Sequence, residues 1–155
     1  MREFNDQPPN AKTALYYASR GWDVLPVQED FCSATRDPIL IKQWDWAKGI
    51  GMACGERSRT DVLAIYDAEA FAAAGFNLHE QVTSTLVVTA PPLDWLYLFF
   101  EFAGLCSRVF SWGEWRSTGF AVLLPPAGGR RWINNLTPQP APPELIDFLL
   151  THPIG

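Results

Sequence analysis

The chain has 155 residues, 48% of them hydrophobic and seven of them tryptophan, with a formal net charge of −5. That length predicts one domain able to bury a core without disulfides or a structural metal, and the composition excludes a disordered chain. The negative balance argues against broad, non-specific adhesion to nucleic acid, which depends on Lys and Arg neutralising phosphates.

Residues 1–9 read as a flexible tail ending in Pro8-Pro9, and residues 10–155 as the folded domain. "MREFNDQPPN" has no apolar h-region, so no signal peptide is expected. Asn10 predicts the cap of a helix from Ala11 to about Arg20, with Ala14, Tyr17 and Ala18 at helical spacing and Gly21 as the stop. "WDVLPV" follows as a short strand. Asp37-Pro38 is an N-cap with proline at N1. The helix it opens, to about Lys48, would put Leu40, Ile41, Trp44 and Ala47 on one face. "GIGMACG" and "DVLAIYD" then read as two apolar strands joined by the polar turn "ERSR". A small helix is expected over Ala68–Ala74. The β-rich stretches "STLVVTA", "WLYLFFEF", "SRVFSW", "FAVLLPP" and "RRWIN" come next. "TPQPAPP" leads into a last helix from Pro143 to about Thr151, with Leu145, Phe148 and Leu149 inward. Helices at both ends and many strands between predict an α+β domain with a mixed or antiparallel sheet.

Cys32, Cys54 and Cys106 are odd in number and form no C-x-x-C, so buried thiols in a reducing cytoplasm are expected. The longest apolar run, "WLYLFFEFAGLC", carries Glu101 and is too short to span a bilayer, so no membrane partner is expected.

The run "VLAIYDAEA", Val62 to Ala70, carries the strongest chemical signal: an apolar strand ends in Asp67 and Glu69. On an extended backbone residues i and i+2 face the same way, and two carboxylates there can share divalent cations, as two-metal phosphoryl transfer requires. The other reading is a helix start, with Asp67 as N-cap and Glu69 in the first turn. Arg108, Arg116, Arg130 and Arg131 could form a local basic groove, but scattered surface charges are the preferred reading, since no spacing ties them together. His79 and His152 lack partners at ligand spacing and read as surface residues. The pair Trp44 and Trp46 reads as core plus helix surface. Trp112 and Trp115 read as packing residues, with stacking on a base as the alternative. Gly128-Gly129 beside Arg130-Arg131 reads as a turn, not a phosphate loop, because no helix follows.

In order, the motifs resemble those of the bifunctional DNA primase/polymerase N-terminal (Prim-Pol) family of the archaeo-eukaryotic primase superfamily, over roughly Ala11 to Leu150. "ALYYASRGWDVLP", "ATRDPILIKQW" and "GIGMACG" match its opening helix, its A-T-x-D helix start and its glycine-bearing strand. The resemblance places the family's metal-binding acidic pair on Asp67 and Glu69. "EWRSTGFAVLLPP" places the third carboxylate on Glu114 and the following arginine on Arg116. It implies Mg²⁺ or Mn²⁺ as cofactor, DNA or a nucleotide as partner, and Arg116 supporting the carboxylates or contacting phosphate. A separate replication protein is a further implied partner.

The departures fall on the nucleotide pocket. Thr89 is kept, but the family's two glycines are Pro92 and Leu93, and its triphosphate-binding histidine is Trp95. Indole offers one N–H and no charge, and proline has no backbone N–H to give a phosphate. The family's usual lysine is absent from the acidic stretch "VQEDFCS". These changes imply a degenerate member with weak or absent nucleotidyl transfer. The alternatives are an active metal-dependent primase/polymerase using Asp67, Glu69 and Glu114, and a structural protein-interaction domain.

Overall fold

The computed structural model describes residues 10–27, 33–76, 80 and 84–151; the tail 1–9, Cys32, His79 and His152 lie outside them. Among the described residues, four helices and nine strands form an α+β domain with two antiparallel sheets. The helices are α1 (Ala11–Ser19), α2 (Pro38–Gln43), α3 (Ala68–Ala73) and α4 (Pro143–Thr151). The small sheet runs β1 (Val24–Pro26), β2 (Ile50–Ala53), β8 (Ala121–Leu124). The large sheet is ordered β6 (Arg108–Phe110), β7 (Gly113–Arg116), β3 (Thr60–Ile65), β5 (Leu96–Glu101), β4 (Leu86–Thr89), β9 (Arg131–Trp132).

The large sheet carries apolar side chains on both faces because alternate strand residues point opposite ways. One face presents Val62, Ala64, Val88, Tyr97 and Phe99 to a core shared with α1 and the small sheet. The other presents Leu63, Ile65, Val87, Leu98 and Trp115 to Phe71 of α3 and to Leu145 and Leu149 of α4. β3, in the middle, is buried at every position. A strand covered on both faces has no polar alternation, which is why Val62–Ile65 is a continuous apolar run.

Three local expectations differ from what forms. Asn10 has a left-handed backbone (φ 68°) and makes no side-chain cap; its amide donates to the Trp46 carbonyl at 3.0 Å, tying α1 to the segment after α2. α2 stops at Gln43 instead of Lys48. Trp46 turns into the core, fully buried, and its indole N–H donates to the Ile41 carbonyl at 2.7 Å, which takes an acceptor of the last helical turn. Asp37 caps α2 as expected, accepting from the Ile39 amide at 2.9 Å. The third difference bears on function. "SRVFSWGEWRS" forms a hairpin, with β6 turning at Ser111-Trp112 into β7; the sequence reading has no strand over β7.

Gly113 lets β7 lie against β3. A Cβ there would stand 1.9 Å from the Ala64 carbonyl oxygen, which cannot retreat without breaking the β3–β7 ladder. Gly113→Ala is therefore expected to lower stability by about 3 kcal/mol, the upper range for overpacking, measured by urea denaturation; an unchanged midpoint would contradict this packing.

Candidate functional site

The site lies where β3 leaves the sheet. The amides of Tyr66 and Asp67 both donate to the Trp112 carbonyl, at 2.8 and 3.1 Å, which fixes the exit from β3 against the turn of the hairpin. Pairing of Ala64 with Glu114 puts Glu114 on the Ala64 face of the sheet. Tyr66, two residues past Ala64, projects to that same side: its hydroxyl donates to Glu114 Oε2 at 2.6 Å. Arg116 donates through Nε to the same oxygen at 3.0 Å and through Nη2 to the Tyr66 hydroxyl at 3.0 Å. Its Nη1 donates to the Ala121 carbonyl at 2.8 Å, anchoring the guanidinium to the small sheet.

All three side chains are half-buried. Burial alone would raise the Glu114 carboxyl; the Tyr66 hydroxyl and the Arg116 guanidinium outweigh it and hold the group below its ordinary value. Burial, reinforced by the bond to Glu114, pushes the Tyr66 phenol well up. At neutral pH the cluster is an ionised carboxylate clamped by a neutral phenol and a guanidinium.

Aromatic groups wall the cluster. Trp95, just before β5 and half-buried, has its ring 4.6 Å from that of Tyr66. Tyr97 meets Tyr66 edge-on at 6.3 Å. Its hydroxyl accepts from Arg130 at 2.9 Å, and the Arg130 guanidinium lies 4.9 Å from its ring centroid.

Asp67 and Glu69 are placed differently. The strand ends at Ile65 and α3 begins at Ala68, so the extended backbone that would align the two carboxylates is absent. Asp67 is the N-cap of α3, accepting from the Ala70 amide at 3.0 Å, and Glu69 sits in the first turn. Both are exposed. The helix they start packs Phe71 on the sheet face opposite to Glu114. Among the described residues, no group of three or more His, Cys, Asp or Glu side chains is placed to hold a metal ion. As placed, Asp67, Glu69 and Glu114 do not fit a shared Mg²⁺ or Mn²⁺, whose oxygen ligands must converge on one centre.

Other sequence readings also meet the structure here. Trp112 and Trp115 are fully buried and pack in the core, Trp112 stacked on Phe110 at 4.8 Å. Trp46 is core and Trp44 half-buried. Arg108 and Arg131 lie on β6 and β9, the two edges of the large sheet, five strand spacings or about 24 Å apart, so the four arginines do not form one groove. Tyr66 is the member of the cluster that the sequence reading missed. Its parity with Ala64 points to Glu114 only once β7 is known to be a strand paired with β3.

The fold, with its motifs in this order, defines a domain of the primase–polymerase class. The model of the family "Bifunctional DNA primase/polymerase, N-terminal" matches residues 14–144, and the chain belongs to that family. No curated protein matches it. The superfamily generally uses divalent metals. No described helix is long and apolar enough to cross a membrane.

Tyr66→Phe removes two hydrogen bonds to charged groups, the one donated to Glu114 and the one accepted from Arg116, and is expected to cost about 3 kcal/mol, read from a urea midpoint. Glu114 has a lowered folded value, so its contribution is complete above the unfolded value of about 4.3 and is lost as pH falls through the lower folded value. Glu114→Gln should flatten the stability profile in that acid window. An unaltered profile would show that the clamp contributes nothing.

Proposed function

We propose that this chain is a degenerate Prim-Pol domain, linked to DNA replication or to a mobile element, in which nucleotidyl transfer is weak or lost and nucleotide, nucleic-acid or replication-partner binding is retained. The observation that carries this reading is the state of Glu114. Its carboxylate is engaged by Tyr66 and Arg116, while Asp67 spends an oxygen on capping α3. A two-metal reaction needs such oxygens free to bridge ions that activate a hydroxyl and neutralise a triphosphate. Trp95 supports the same reading, because an indole packed on Tyr66 stands where the family resemblance puts a phosphate-binding histidine.

The second reading is an active primase/polymerase. It is favoured by one observation: Asp67 and Glu69 are exposed, and Glu114 is held ionised, so three negative charges remain near the end of β3. In that reading Asp67, Glu69 and Glu114 rearrange around Mg²⁺ or Mn²⁺. Arg116 then turns from clamp to phosphate contact. A structural interaction domain is the third reading, in which Asp67 is a helix cap and nothing more.

Primer extension on a primed template, with Mg²⁺ and then Mn²⁺, separates these readings. The expected result is little or no extension with either ion. Robust extension that disappears in Asp67→Ala would establish the enzyme. Trp95→His should lower stability by about 1 kcal/mol, a part of the 1.5–3 kcal/mol for a fully buried large side chain. It should restore nucleotide binding only in part, because Pro92 and Leu93 remain. A Trp95→His variant as stable as the parent and equally blind to a nucleotide titration would remove Trp95 from the account.

A further inference from the structure

Where β3 begins, on the sheet face opposite Glu114, a carboxyl group is buried without a charge partner. Asp61 is 0% exposed. It shares the parity of Leu63 along the strand, which turns its side chain toward the α3 and α4 side of the sheet. Its Oδ2 accepts from the Ala103 amide at 2.8 Å. Its Oδ1 has no hydrogen-bond partner among the described residues. The β3–β7 register, carried one residue past the pair Val62 and Arg116, sets Ser117 across from Asp61 on the same face. Ser117 is 1% exposed, and its Oγ also lacks a partner among the described residues. The Ser117 hydroxyl is near enough to favour an ionised Asp61, but the two do not meet in hydrogen-bond geometry.

Ser117 also lines an open cavity of about 350 Å³, within the size range of small-ligand sites. Phe102, Leu105 and Phe120 give this cavity apolar walls, and Ser107 and Thr118 add hydroxyls. Asp61 lies behind Ser117 and is tied through Ala103 to the segment 102–107 that forms one wall. Among the described residues, no charged side chain lines the cavity. The cations of the adjoining elements do not serve Asp61. Arg116 is committed to Glu114 on the other face, and the described ion pairs join neither Arg59 nor Arg108 to Asp61. Glu101 pairs with Thr60 and so faces the other way. The Cys54 thiol, which feels the Asp61 charge, is kept neutral by burial. Burial also pushes the Asp61 carboxyl up, against the Ser117 hydroxyl and the Ala103 amide, as expected of a buried carboxylate with no cation beside it.

We propose that this cavity is a binding site for a primary alkylammonium group, with its N–H donors on Asp61 Oδ1 and Ser117 Oγ and its aliphatic chain against Phe102, Leu105 and Phe120. A cationic donor is the class that fits. An ionised carboxylate oxygen can only accept, and an ammonium presents three donors on a compact charged head. A carboxylate or phosphate ligand would bring like charge to Asp61. Both protein oxygens are covered, so the Ser117 side chain rotates about χ1 to admit the head group. The site uses no residue of the Glu114 cluster and is independent of whether the domain retains nucleotidyl transfer.

The test is an NMR titration of the isotope-labelled full chain with n-hexylamine at neutral pH, read from the Ala103 and Ser117 amides. n-Hexanol and hexanoate, which carry the same chain without the cation, are the controls. The expected result is saturable binding of the amine in the millimolar range, as befits so small a ligand, and at least tenfold tighter than either control. Asp61→Asn should weaken it at least tenfold, the cost of a hydrogen bond to a charged group, and should fold at least as stably as the parent because it removes a buried, unpaired charge. Phe120→Ser, at an exposed wall position, should weaken it severalfold. Nα-acetyl-lysine methylamide separates the two sources of the group. Binding it as tightly as n-hexylamine places a partner's lysine side chain in the site, binding n-hexylamine alone places a free amine, and either supports the site. Equal affinity for n-hexanol would reduce the cavity to an apolar groove and overturn the proposal. So would parental affinity in Asp61→Asn, no saturable binding of either ammonium probe, or a crystal structure at saturating amine with only a water on Asp61 Oδ1.

Discussion

Burial of β3 on both faces is the constraint on which the rest of the structure depends. Every residue from Thr60 to Ile65 is buried, and the strand pairs with β5 along its whole length and with β7 from Val62 to Ile65. Two separate cores must therefore close on it, one under the small sheet and α1, the other under α3 and α4. A residue's place along β3 decides which core it enters. At the end of the strand the covering stops, and the first side chain free of it on the α1 side is Tyr66. The cluster follows directly, because Glu114 shares that face and lies one pair back.

A carboxylate left half-buried at such a strand end needs a partner. A metal ion is one solution. Here the partners are built into the chain: a phenol at 2.6 Å and a guanidinium at 3.0 Å. Arg116 supplies positive charge and the geometry of a fork, and it is itself braced by the Ala121 carbonyl across the gap between the sheets. The arrangement stabilises the junction of the two sheets and leaves Glu114 committed to it. Asp67, one residue beyond Tyr66, serves α3 on the other side. Asp67 and Glu114, distant in sequence, thus end in two separate structural duties.

The fold class, the cap at Asp37 and the inward faces of α1 and α4 were legible because each rests on short-range chemistry: a capping carboxylate, a proline at N1, apolar residues at helical spacing. The run Val62–Ile65 was legible as a buried strand for the same reason. The site was legible only in part. Both readings of Asp67-Ala68-Glu69 fit the local sequence, and the choice between them is made by where β3 ends, which the Trp112 carbonyl fixes through two amides. Trp112 belongs to a hairpin whose second strand, Gly113–Arg116, has only four residues, too few for its alternation to stand out. Missing β7 hides the contact between Tyr66 and Glu114, which are 48 residues apart. Trp46 shows the same limit: only the tertiary core explains why α2 stops five residues early.

The most direct measurement of the central claim, that Glu114 is held by Tyr66 and Arg116 and is not a metal ligand, is a crystal structure soaked with Mn²⁺ and a nucleoside triphosphate, with anomalous data collected for manganese. The account predicts no anomalous peak within coordination distance of Glu114 and the Tyr66–Glu114–Arg116 bonds intact. A manganese ion bridging Asp67 and Glu114, with Tyr66 displaced, would contradict it.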